Sequence, residues 1–422
     1  MNSVLAFSLV LLATAACGAE PAAFPGAQGF SARTPGGRGG KVVRVTTLAA
    51  SGLGSFAAAL GAKGPRIIVF EVGGVIDLAG RSLKLSEPFV TIAGQTAPAP
   101  GVTLIKGTLN IATHDVIIQH LSVRPGEAGH AKKSGWEADG ISGVGAANVI
   151  VDHCSCTWAT DENLSASGER FGGDTVEEWR AKTSHHVTFS NCIIAEGLSH
   201  STHGKGEHSK GSLLHDNATF LTIAGNLYAS NVERNPLAKG GVHAVIVNNW
   251  ISNPGRRAVH HALVDSEWGA HPHQTARLAI VGNVLEFGAD TPPGMTLFFN
   301  HGASPLDLFM EDNLAFDRDH QPAALVGGTG LPAQPVKPPW PEGLTPMPAA
   351  EVKEFVAKNC GARPWDRDPI DARIIKAALD GAGKIIDSEQ DAGGYPVRPE
   401  THAPFRPGDW NLETMQPLSP PR

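Results

Sequence analysis

Short runs of apolar, often β-branched residues recur along most of the chain, and each run ends in a polar residue. In LTIAGNL (221–227) and AVIVNNW (244–250) an asparagine stands at the sixth position and an apolar residue follows it. The sixth positions of the eight such segments are Gln95, His120, His153, Asn191, Asn226, Asn249, Asn283 and Asn313. They are separated by 25, 33, 38, 35, 23, 34 and 30 residues, a loose period that is typical of solenoid proteins.

A parallel β-helix is the solenoid that best suits these units. The shortest intervals, 23 and 25 residues, leave room for three short strands with turns but not for a strand and a packed helix. In stacked coils each strand bonds to its equivalents in neighbouring coils, and asparagines at a bend satisfy backbone groups. A doubly wound α/β fold is the competing interpretation, but it requires helical patterns that GKGEHSKGSLLHDNATF lacks. We therefore predict an all-β, single-stranded parallel β-helix with long loops on one side.

Two cysteines fall within this repeat. Cys154 and Cys192 both occupy the seventh position of adjacent units, so we expect them to stack on one another. Buried free thiols are the favoured interpretation, and a disulfide is the alternative if the protein is exported. No two cysteines have the C-x-x-C spacing that is typical of many metal sites.

The N-terminus carries an apolar run from Val4 to Ala16. This run is too short to span a bilayer and suits a secretory signal peptide at residues 1–19, with cleavage after Ala19. Cys17 offers an alternative, an imperfect lipoprotein site through which a lipid would anchor the mature chain. We therefore expect a secreted or periplasmic protein with no transmembrane segment.

The character of the sequence changes at about residue 331. PAQPVKPPWPEGLTP is rich in proline and predicts an extended segment, while AAEVKEFVAKNCG and DPIDARIIKAALDGAG predict two short helices. We expect residues 24–330 to form the β-helix domain and residues 331–422 to pack on it as a C-terminal helical and extended tail.

Composition limits the choice of partner. The chain has 422 residues, 41% of them hydrophobic, so it can build a core and is not disordered. Its net charge of −7 argues against nucleic acid as the main partner. Binding an acidic polymer would require a local group of cations or a metal ion. The segment NVERNPLAKGG places two such cations, Arg234 and Lys239, five positions apart.

Several phrases of the sequence carry a family resemblance through their order along the chain. They are GSFAAALGAKGPRIIVFEVGGVIDL (54–78), TIAGQTAPAPGVTLIKG (91–107), DGIS, NVIVDHCSCTWATDENLSAS, ERNPLAKGG and, in the tail, GARPWDRDPIDARII. Together they resemble the pectate lyases of the first polysaccharide lyase family. The resemblance implies a right-handed parallel β-helix that cleaves homogalacturonan by β-elimination, usually with Ca²⁺.

By this resemblance Arg234 of ERNP falls on the family's catalytic base. A guanidinium is effectively always protonated, so the alternative is that Arg234 stabilises the intermediate while hydroxide or another group takes the proton. Lys239 falls on a second cation that is more usually arginine in the family, and Leu237 replaces a cation usually found between the two. Lys210 of HSKGSLL matches the family's substrate-binding lysine, and Lys205 of HGKG is a rival for that role.

The resemblance also implies a calcium site. Asp139 of DGIS and Asp161 of TDENLS match the family's calcium carboxylates. A further ligand is expected four residues after Asp161, where Ser165 stands, and Glu162 can compensate for this weak ligand. We therefore expect Ca²⁺ to be held by Asp139, Asp161, Glu162 and Ser165.

Other polar residues near these phrases have two interpretations each. Arg124 of SVRPGE either binds a substrate carboxylate, the role we expect for it, or pairs with Glu127. His200, His203 and His208 have a spacing that resembles a metal site. Their glycine-rich surroundings favour a place in the lining of a cleft over zinc binding.

These expectations describe a monomeric, exported enzyme that acts on an acidic polysaccharide. One alternative is a pectin lyase that prefers methyl-esterified substrate and dispenses with Ca²⁺; the pair Asp139 and Asp161 argues against it. The other is a β-helix that binds polysaccharide without cleaving it, an interpretation that Leu237 and Ser165 keep open. Sensitivity of the activity to EDTA separates the two lyases.

Overall fold

The computed structural model describes residues 20–302 and 304–419. The expected signal peptide at residues 1–19 and the expected lipid attachment at Cys17 therefore lie outside the described residues. Within the described ranges, no helix has both the length and the apolar character needed to cross a membrane.

Three parallel sheets, here called the first, second and third sheet, form the body of the molecule. Each coil of the chain adds one strand to each sheet in turn, so neighbouring strands of a sheet come from adjacent coils. The first sheet consists of Lys41–Val45, Arg66–Phe70, Val90–Ala93, His114–Gln119, Ala147–Asp152, His185–Ser190, Thr219–Ala224, His243–Val247, Ala276–Val281 and Leu306–Glu311. The second consists of Val72–Asp77, Val102–Ile105, Leu121–Arg124, Ser155–Thr157, Ile193–Ala195, Leu227–Ala229, Trp250–Ser252, Val284–Glu286, Leu314–Phe316 and the tail strand Thr401–His402. The third consists of Leu83–Leu85, Leu109–Ile111, Ile141–Val144, Leu164–Ser167, Leu213–Leu214, Leu237–Lys239, Val259–Ala262, Phe298–His301 and Val326–Thr329.

This path is a right-handed parallel β-helix, and the predicted fold class is confirmed. Within the stack, the backbone groups of a strand bond to the equivalent strands of the coils on either side. The strand Thr401–His402 is an exception, because it pairs antiparallel with Val72–Asp77 at one edge of the second sheet. The other short elements are the helices Phe56–Leu60, Val176–Lys182, Asp265–Trp268, Ala349–Asn359 and Pro369–Leu379, the 3₁₀ turns Gly94–Thr96, Glu389–Ala392 and Pro407–Asp409, and the hairpin of Trp410–Asn411 with Gln416–Pro417.

The alternation of side chains along each strand decides which residues fill the interior. In the first sheet Val187 and Phe189 belong to the buried core, and Leu221 and Ile223 of the next coil pair directly with them. A slip of one residue would turn these apolar side chains to the opposite face of the sheet. The apolar positions therefore fix the register between coils.

For this reason the expected alignment of the repeat is wrong by one residue at two steps, from residue 90 to 116 and from residue 187 to 221. Cys192, and not Asn191, lies next to Asn226, whose Oδ1 accepts from the Cys192 amide at 2.8 Å. An asparagine ladder starts there, in which each Nδ2 donates to the Oδ1 of the next coil at 2.9, 2.9 and 3.1 Å. Its members are Asn226, Asn249, Asn283 and Asn313.

The two cysteines of the repeat stack as expected. Cys154 and Cys192 are buried free thiols, and the Cys154 amide lies 3.4 Å from Cys192 Sγ. Burial raises the pKa of the Cys192 thiol well above its usual range. The pair therefore contributes apolar packing in place of the asparagines of the later coils.

The C-terminal tail covers the outer face of the second sheet. Asp368 caps the helix Pro369–Leu379 by accepting from the amides of Ile370 and Asp371, and proline at the first helical position suits this start. The division of the chain at residue 330 stays a prediction, although the last strand of the third sheet ends at Thr329. The apolar contacts between tail and coils involve Trp158, Ile193, Leu227, Trp250, Val284, Val352, Val356, Ile374 and Ile375.

The segment between residues 20 and 40 covers part of the first sheet. Ser31 Oγ donates to the carbonyl of Val149 at 2.9 Å and to Thr188 Oγ1 at 2.7 Å, and Phe24 packs against Ile117. Among the described residues, the apolar contacts of this segment involve the first sheet, and those of the tail involve the first and second sheets. The loops that lead into the third sheet are therefore free to carry a site.

Candidate active site

Polar side chains converge where successive coils enter the third sheet. Asp139, Glu162 and Arg234 each stand just before a strand of that sheet. Glu162 forms a parallel bridge with Lys210, and Lys210 forms one with Glu233. The stacking of coils thus places side chains far apart in sequence side by side.

Three carboxylates form an acidic cluster, which we define as Asp139, Asp161 and Glu162. One oxygen atom of each lies within 4.8 Å of the others. Asp139 Oδ1 accepts from the Glu162 amide at 3.1 Å, and its Oδ2 accepts from Ser165 Oγ at 2.9 Å. The structure therefore brings the four expected calcium ligands together.

The acidic cluster holds negative charge that its neighbours only partly neutralise. Burial raises the pKa of Asp139 to about 7, and the charge of Asp161 adds to the rise. Burial also acts to raise the pKa of Asp161, but the hydrogen bond from His208 and the charges of His208, His203 and Arg234 outweigh it and lower that pKa. The raised pKa of Asp139 indicates a position where a bound cation would be stabilising.

Arg234 faces the acidic cluster from a neighbouring coil. Its Nη1 donates to Glu162 Oε1, and its side chain is 20% exposed. Burial lowers the pKa of the guanidinium, while the charges of Asp161 and Asp139 oppose this effect. Its backbone φ is 62°, in a region that residues other than glycine rarely adopt. Among the described residues Nε has no hydrogen-bond partner, so one buried N–H remains unused.

Lys210 lies beside this group but is tied to another carboxylate. Its Nζ donates to Glu233 Oε1 at 2.6 Å, and Arg256 Nε donates to Glu233 Oε2 at 2.8 Å. Burial lowers the pKa of Lys210. The rival candidate Lys205 is exposed on the loop above, where its amide donates to His203 Nδ1 at 3.1 Å.

Lys239 belongs to a separate charged network. Its Nζ lies 3.2 Å from Asp216 Oδ2 and contacts Glu267. Arg170 donates to the same two carboxylates, and the side chain of Asp216 is fully buried. Lys239 is thus held in place by Asp216 and Glu267. The substrate-binding role of Lys239 stays a prediction.

Arg124 does not take the expected substrate-binding place. Its side chain is fully buried beneath the C-terminal tail, where Nη2 donates to Asp368 at 2.8 Å and to Asp371 at 2.7 Å. Among the described residues the acidic partners of Arg124 are Asp368 and Asp371, while Glu127 contacts Lys132, so the alternative pairing of Arg124 with Glu127 is not formed either. The expected substrate-binding role of Arg124 is therefore wrong. The carboxylates that bind Arg124 come from the start of a tail helix more than 240 residues later in the chain.

Two of the three histidines expected to line a cleft join the site, but their stacking against Asp161 was not predicted. His203 and His208 are buried, their rings stack with centroids 3.6 Å apart, and His208 Nε2 lies 2.6 Å from Asp161 Oδ1. His200 is exposed and contacts Asp387 instead. The spacing of the histidines in HSTHGKGEHSK was visible, but their stacking against Asp161 depends on a loop whose path the sequence does not specify.

The donor set of the acidic cluster fits a calcium ion. Ca²⁺ prefers carboxylate and other hard oxygen ligands, and the cluster offers three carboxylates with the Ser165 hydroxyl beside them. Part of this set is engaged by other side chains of the protein, since Asp161 contacts His208 and Glu162 contacts Arg234. The residues that would hold the ion are present, and they come from two adjacent coils.

Comparison with known proteins identifies the family. The chain is 32% identical over 384 residues to a probable pectate lyase C from Emericella nidulans, covering 88% of this chain and 80% of that protein. It is 30% identical over 393 residues to a probable pectate lyase C from Aspergillus flavus, covering 88% of this chain and 81% of the relative. No protein-family model matches the chain.

A solved structure shares the fold. The crystal structure of jun a 1, the major allergen from cedar pollen, aligns with a TM-score of 0.57 at 17% identity and covers 79% of this chain and 92% of the allergen. This likeness bears on the fold alone, whereas the identity to the fungal relatives extends over most of both chains. The chain therefore belongs to the pectate lyase family and is a polysaccharide lyase.

Proposed function

We propose that this chain cleaves polygalacturonate (homogalacturonan) by β-elimination and releases unsaturated oligogalacturonides. The observation that carries the proposal is the contact of Arg234 with a cluster of three carboxylates where adjacent coils enter the third sheet. Elimination removes the proton on C5 of a uronate, beside its carboxylate, and expels the glycosidic oxygen on C4. Such a site must offset the carboxylate charge, hold a base and stabilise an enolate-like intermediate.

We assign the base to Arg234. Its guanidinium is normally protonated, but burial lowers its pKa and so favours the neutral form that can accept a proton. The proton passes from C5 to a nitrogen of the neutral guanidine, and the electron pair of the C–H bond is held in the enolate-like intermediate. That electron pair then forms the C4–C5 double bond as the C4–O bond breaks, and the departing oxygen takes a proton from solvent. The contact with Glu162 orients the side chain toward the acidic cluster.

We further propose that Asp139, Asp161, Glu162 and Ser165 hold Ca²⁺. When bound, the ion supplies positive charge that neutralises the uronate carboxylate and makes the neighbouring C–H bond more acidic. The contribution of the chain is to present oxygen ligands from adjacent coils, with Asp139 oriented by Ser165 and by the Glu162 amide. Ser165 is then the weak member of the ligand set.

Lysines supply the remaining substrate contacts in this proposal. Lys210 binds a uronate carboxylate from its place next to Glu162, and Lys205 is the candidate on the exposed rim. Lys239 acts as a second carboxylate clamp, weakened by its contacts with Asp216 and Glu267. A lysine there provides a point charge and not the two-pronged contact of an arginine.

The proposal also concerns where and with what the enzyme works. We propose export through the segment 1–19 to the periplasm or the cell exterior, with lipid anchoring at Cys17 as the alternative. The working unit is a monomer whose partner is an acidic polysaccharide. It requires neither nucleic acid nor a transmembrane partner.

Substrate choice tests the proposal against its two rivals. Purified protein is incubated at alkaline pH with polygalacturonate or with highly methyl-esterified pectin, with Ca²⁺ or with EDTA, and the ultraviolet absorbance of unsaturated uronides is followed. We expect absorbance only with polygalacturonate and Ca²⁺. Activity on the esterified polymer in EDTA would identify a pectin lyase. Binding of both polymers with no absorbance on any acidic glycan would identify a non-catalytic binding protein.

A further inference from the structure

We propose that Asp161, His203 and His208 form a second metal site, which takes a divalent transition metal ion of the Zn²⁺ class. One ligand atom from each of the three residues lies within 4.8 Å of the others. The site shares Asp161 with the acidic cluster but adds two imidazole nitrogens, which change the class of ion that it prefers.

The geometry gathers the two imidazoles on one carboxylate. His208 Nε2 lies 2.6 Å from Asp161 Oδ1, and His203 Nε2 lies 3.9 Å from the same oxygen. The rings are nearly parallel, at 15°, with centroids 3.6 Å apart. His203 is 1% exposed and His208 5% exposed, so both are committed to this position by packing. The Nε2 atoms of both rings thus face the same oxygen of Asp161.

The chemistry of the donors decides between ions. Imidazole nitrogen with one carboxylate suits Zn²⁺, Co²⁺ or Ni²⁺, whereas Ca²⁺ prefers oxygen ligands only. Two histidines and one carboxylate also leave a coordination position for water or substrate. Asp139, Glu162 and Ser165 remain for a hard ion, so two ions of different class can be held on either side of Asp161.

A second carboxylate stands where a metal-bound histidine needs one. His203 Nδ1 lies 3.5 Å from Glu137 Oε1, and it also accepts from the Lys205 amide at 3.1 Å. Binding of a metal through Nε2 requires the proton of the neutral ring on Nδ1, so the bond from the Lys205 amide must be given up and Nδ1 then donates to Glu137. The proton between His208 Nε2 and Asp161 is released to solvent when the ion replaces it.

The competing explanation is an ion pair between His208 and Asp161 that merely fixes the carboxylate. That explanation gives His203 no part in ion binding and gives Glu137 no part at all. The metal site requires both histidines, and it makes Glu137 an orienting residue whose loss weakens binding by roughly 10- to 100-fold.

Metal binding to the full chain tests the proposal without any activity assay. Protein freed of metal with a chelator is titrated with ZnCl₂ by calorimetry in the presence of excess Ca²⁺, and Co²⁺ is added in a parallel experiment to record its visible spectrum. We expect one Zn²⁺ per chain, displacement of Co²⁺ by Zn²⁺, and a Co²⁺ spectrum typical of nitrogen ligands. Crystals soaked in Zn²⁺ should show an anomalous peak beside Asp161.

Matched variants identify the ligands. His203→Gln and His208→Gln should each abolish this binding, Glu137→Gln should weaken it, and His200→Gln, in the same stretch but held by Asp387, should leave it unchanged. Thermal unfolding of each variant shows whether it is folded, and the wild-type Co²⁺ spectrum answers the question even if a variant fails to fold. Absence of a bound Zn²⁺ in the wild type, or binding that both histidine variants retain, would overturn the proposal. Because no substrate is used, a negative result here is distinct from failure of the lyase proposal.

Discussion

Arg124 Nη2 donates to Asp371 Oδ1 at 2.7 Å and so joins the second sheet to a helix 247 residues further along the chain. The same nitrogen donates to Asp368, and the guanidinium is fully buried. Burial and the neighbouring Asp368 raise the pKa of Asp371 to about 6. The tail is therefore held on the coils by a buried charged group as well as by apolar packing.

Replacement of Arg124 tests this attachment. In Arg124→Met the buried Asp371 loses its cation and Asp368 keeps only Arg398, at 3.1 Å, so the free energy of unfolding should fall by about 3–5 kcal/mol, measured by urea titration. The KM for polygalacturonate of the folded fraction should not change, because Arg124 lies beneath the tail. Arg44→Met, which removes a partly exposed pair with Glu71, should cost no more than about 1 kcal/mol. A large rise in KM with unchanged stability would restore the substrate-binding role of Arg124.

The surroundings of Asp152 should make the free energy of unfolding depend on pH. Its oxygens accept from His153 at 2.7 Å, Ser190 at 2.8 Å, Asn191 at 3.0 Å and Gln119 at 3.1 Å. Burial alone would raise its pKa, but the charge of His153 and these hydrogen bonds outweigh burial and lower the pKa.

The sign follows from the protons bound in each state. The unfolded chain takes up a proton at Asp152 near pH 3.9, while the folded chain does so only at lower pH. The stabilisation is therefore complete above about pH 4 and is lost as the pH falls further. Asp152→Asn should reduce the free energy of unfolding by about 1–3 kcal/mol at pH 7 and by much less at about pH 2. Urea titrations at both pH values check this, with the exposed Asp319→Asn as the control. An equal loss at both would contradict the account.

Replacement of Lys239 and replacement of Glu267 should have opposite effects on substrate binding. The carboxylate of Glu267 partly neutralises the ammonium of Lys239. Glu267→Gln should therefore leave more positive charge to bind a uronate carboxylate and should lower KM. Lys239→Met should raise KM, and both changes should stay within about fivefold, because partly exposed ion pairs are worth up to about 1 kcal/mol. Steady-state kinetics on polygalacturonate measures both. If neither variant shifts KM, Lys239 serves only to neutralise the buried Asp216.

Replacement of Asp139 tests the proposed calcium site. Asp139→Asn removes one of three negative charges from the cluster, so the affinity for Ca²⁺ should fall at least about tenfold in calorimetric titration. The free energy of unfolding without Ca²⁺ should rise or stay constant, because the variant relieves repulsion with Asp161. Asp115→Asn lies outside the cluster and serves as the control. Unchanged Ca²⁺ affinity in Asp139→Asn would remove this residue from the ligand set.

The repeat was predictable because its cause is local. Each coil needs a short apolar strand and a polar bend, and both leave a pattern in the sequence. The register between neighbouring coils was harder to predict, because asparagine marks the bend consistently only in the later coils. Cys192 takes the place that Asn226 takes one coil later, while Asn191 is shifted by one residue. Apolar alternation, with Val187 against Leu221, is the better guide.

The family resemblance indicated which residues form the site, and the repeat explains why those on neighbouring coils meet. Asp139 and Glu162 stand at equivalent points of neighbouring coils, so their meeting follows from the repeat. The partners of Arg124 and Lys239 come from a tail helix and from a loop, and no periodic pattern connects them. The same holds for His203, whose position depends on the path of an irregular loop.

Arg234→Lys tests the central claim most directly, with formation of unsaturated uronides from polygalacturonate at alkaline pH and saturating Ca²⁺ as the measurement. Lysine keeps the charge but lacks the guanidinium, so the rate should fall by about 100- to 10,000-fold while Ca²⁺ affinity and thermal stability hold. Arg180→Lys, a half-buried arginine that contacts His243, should keep the rate. A variant at position 234 that retains the wild-type rate would contradict the assignment of Arg234 as the base.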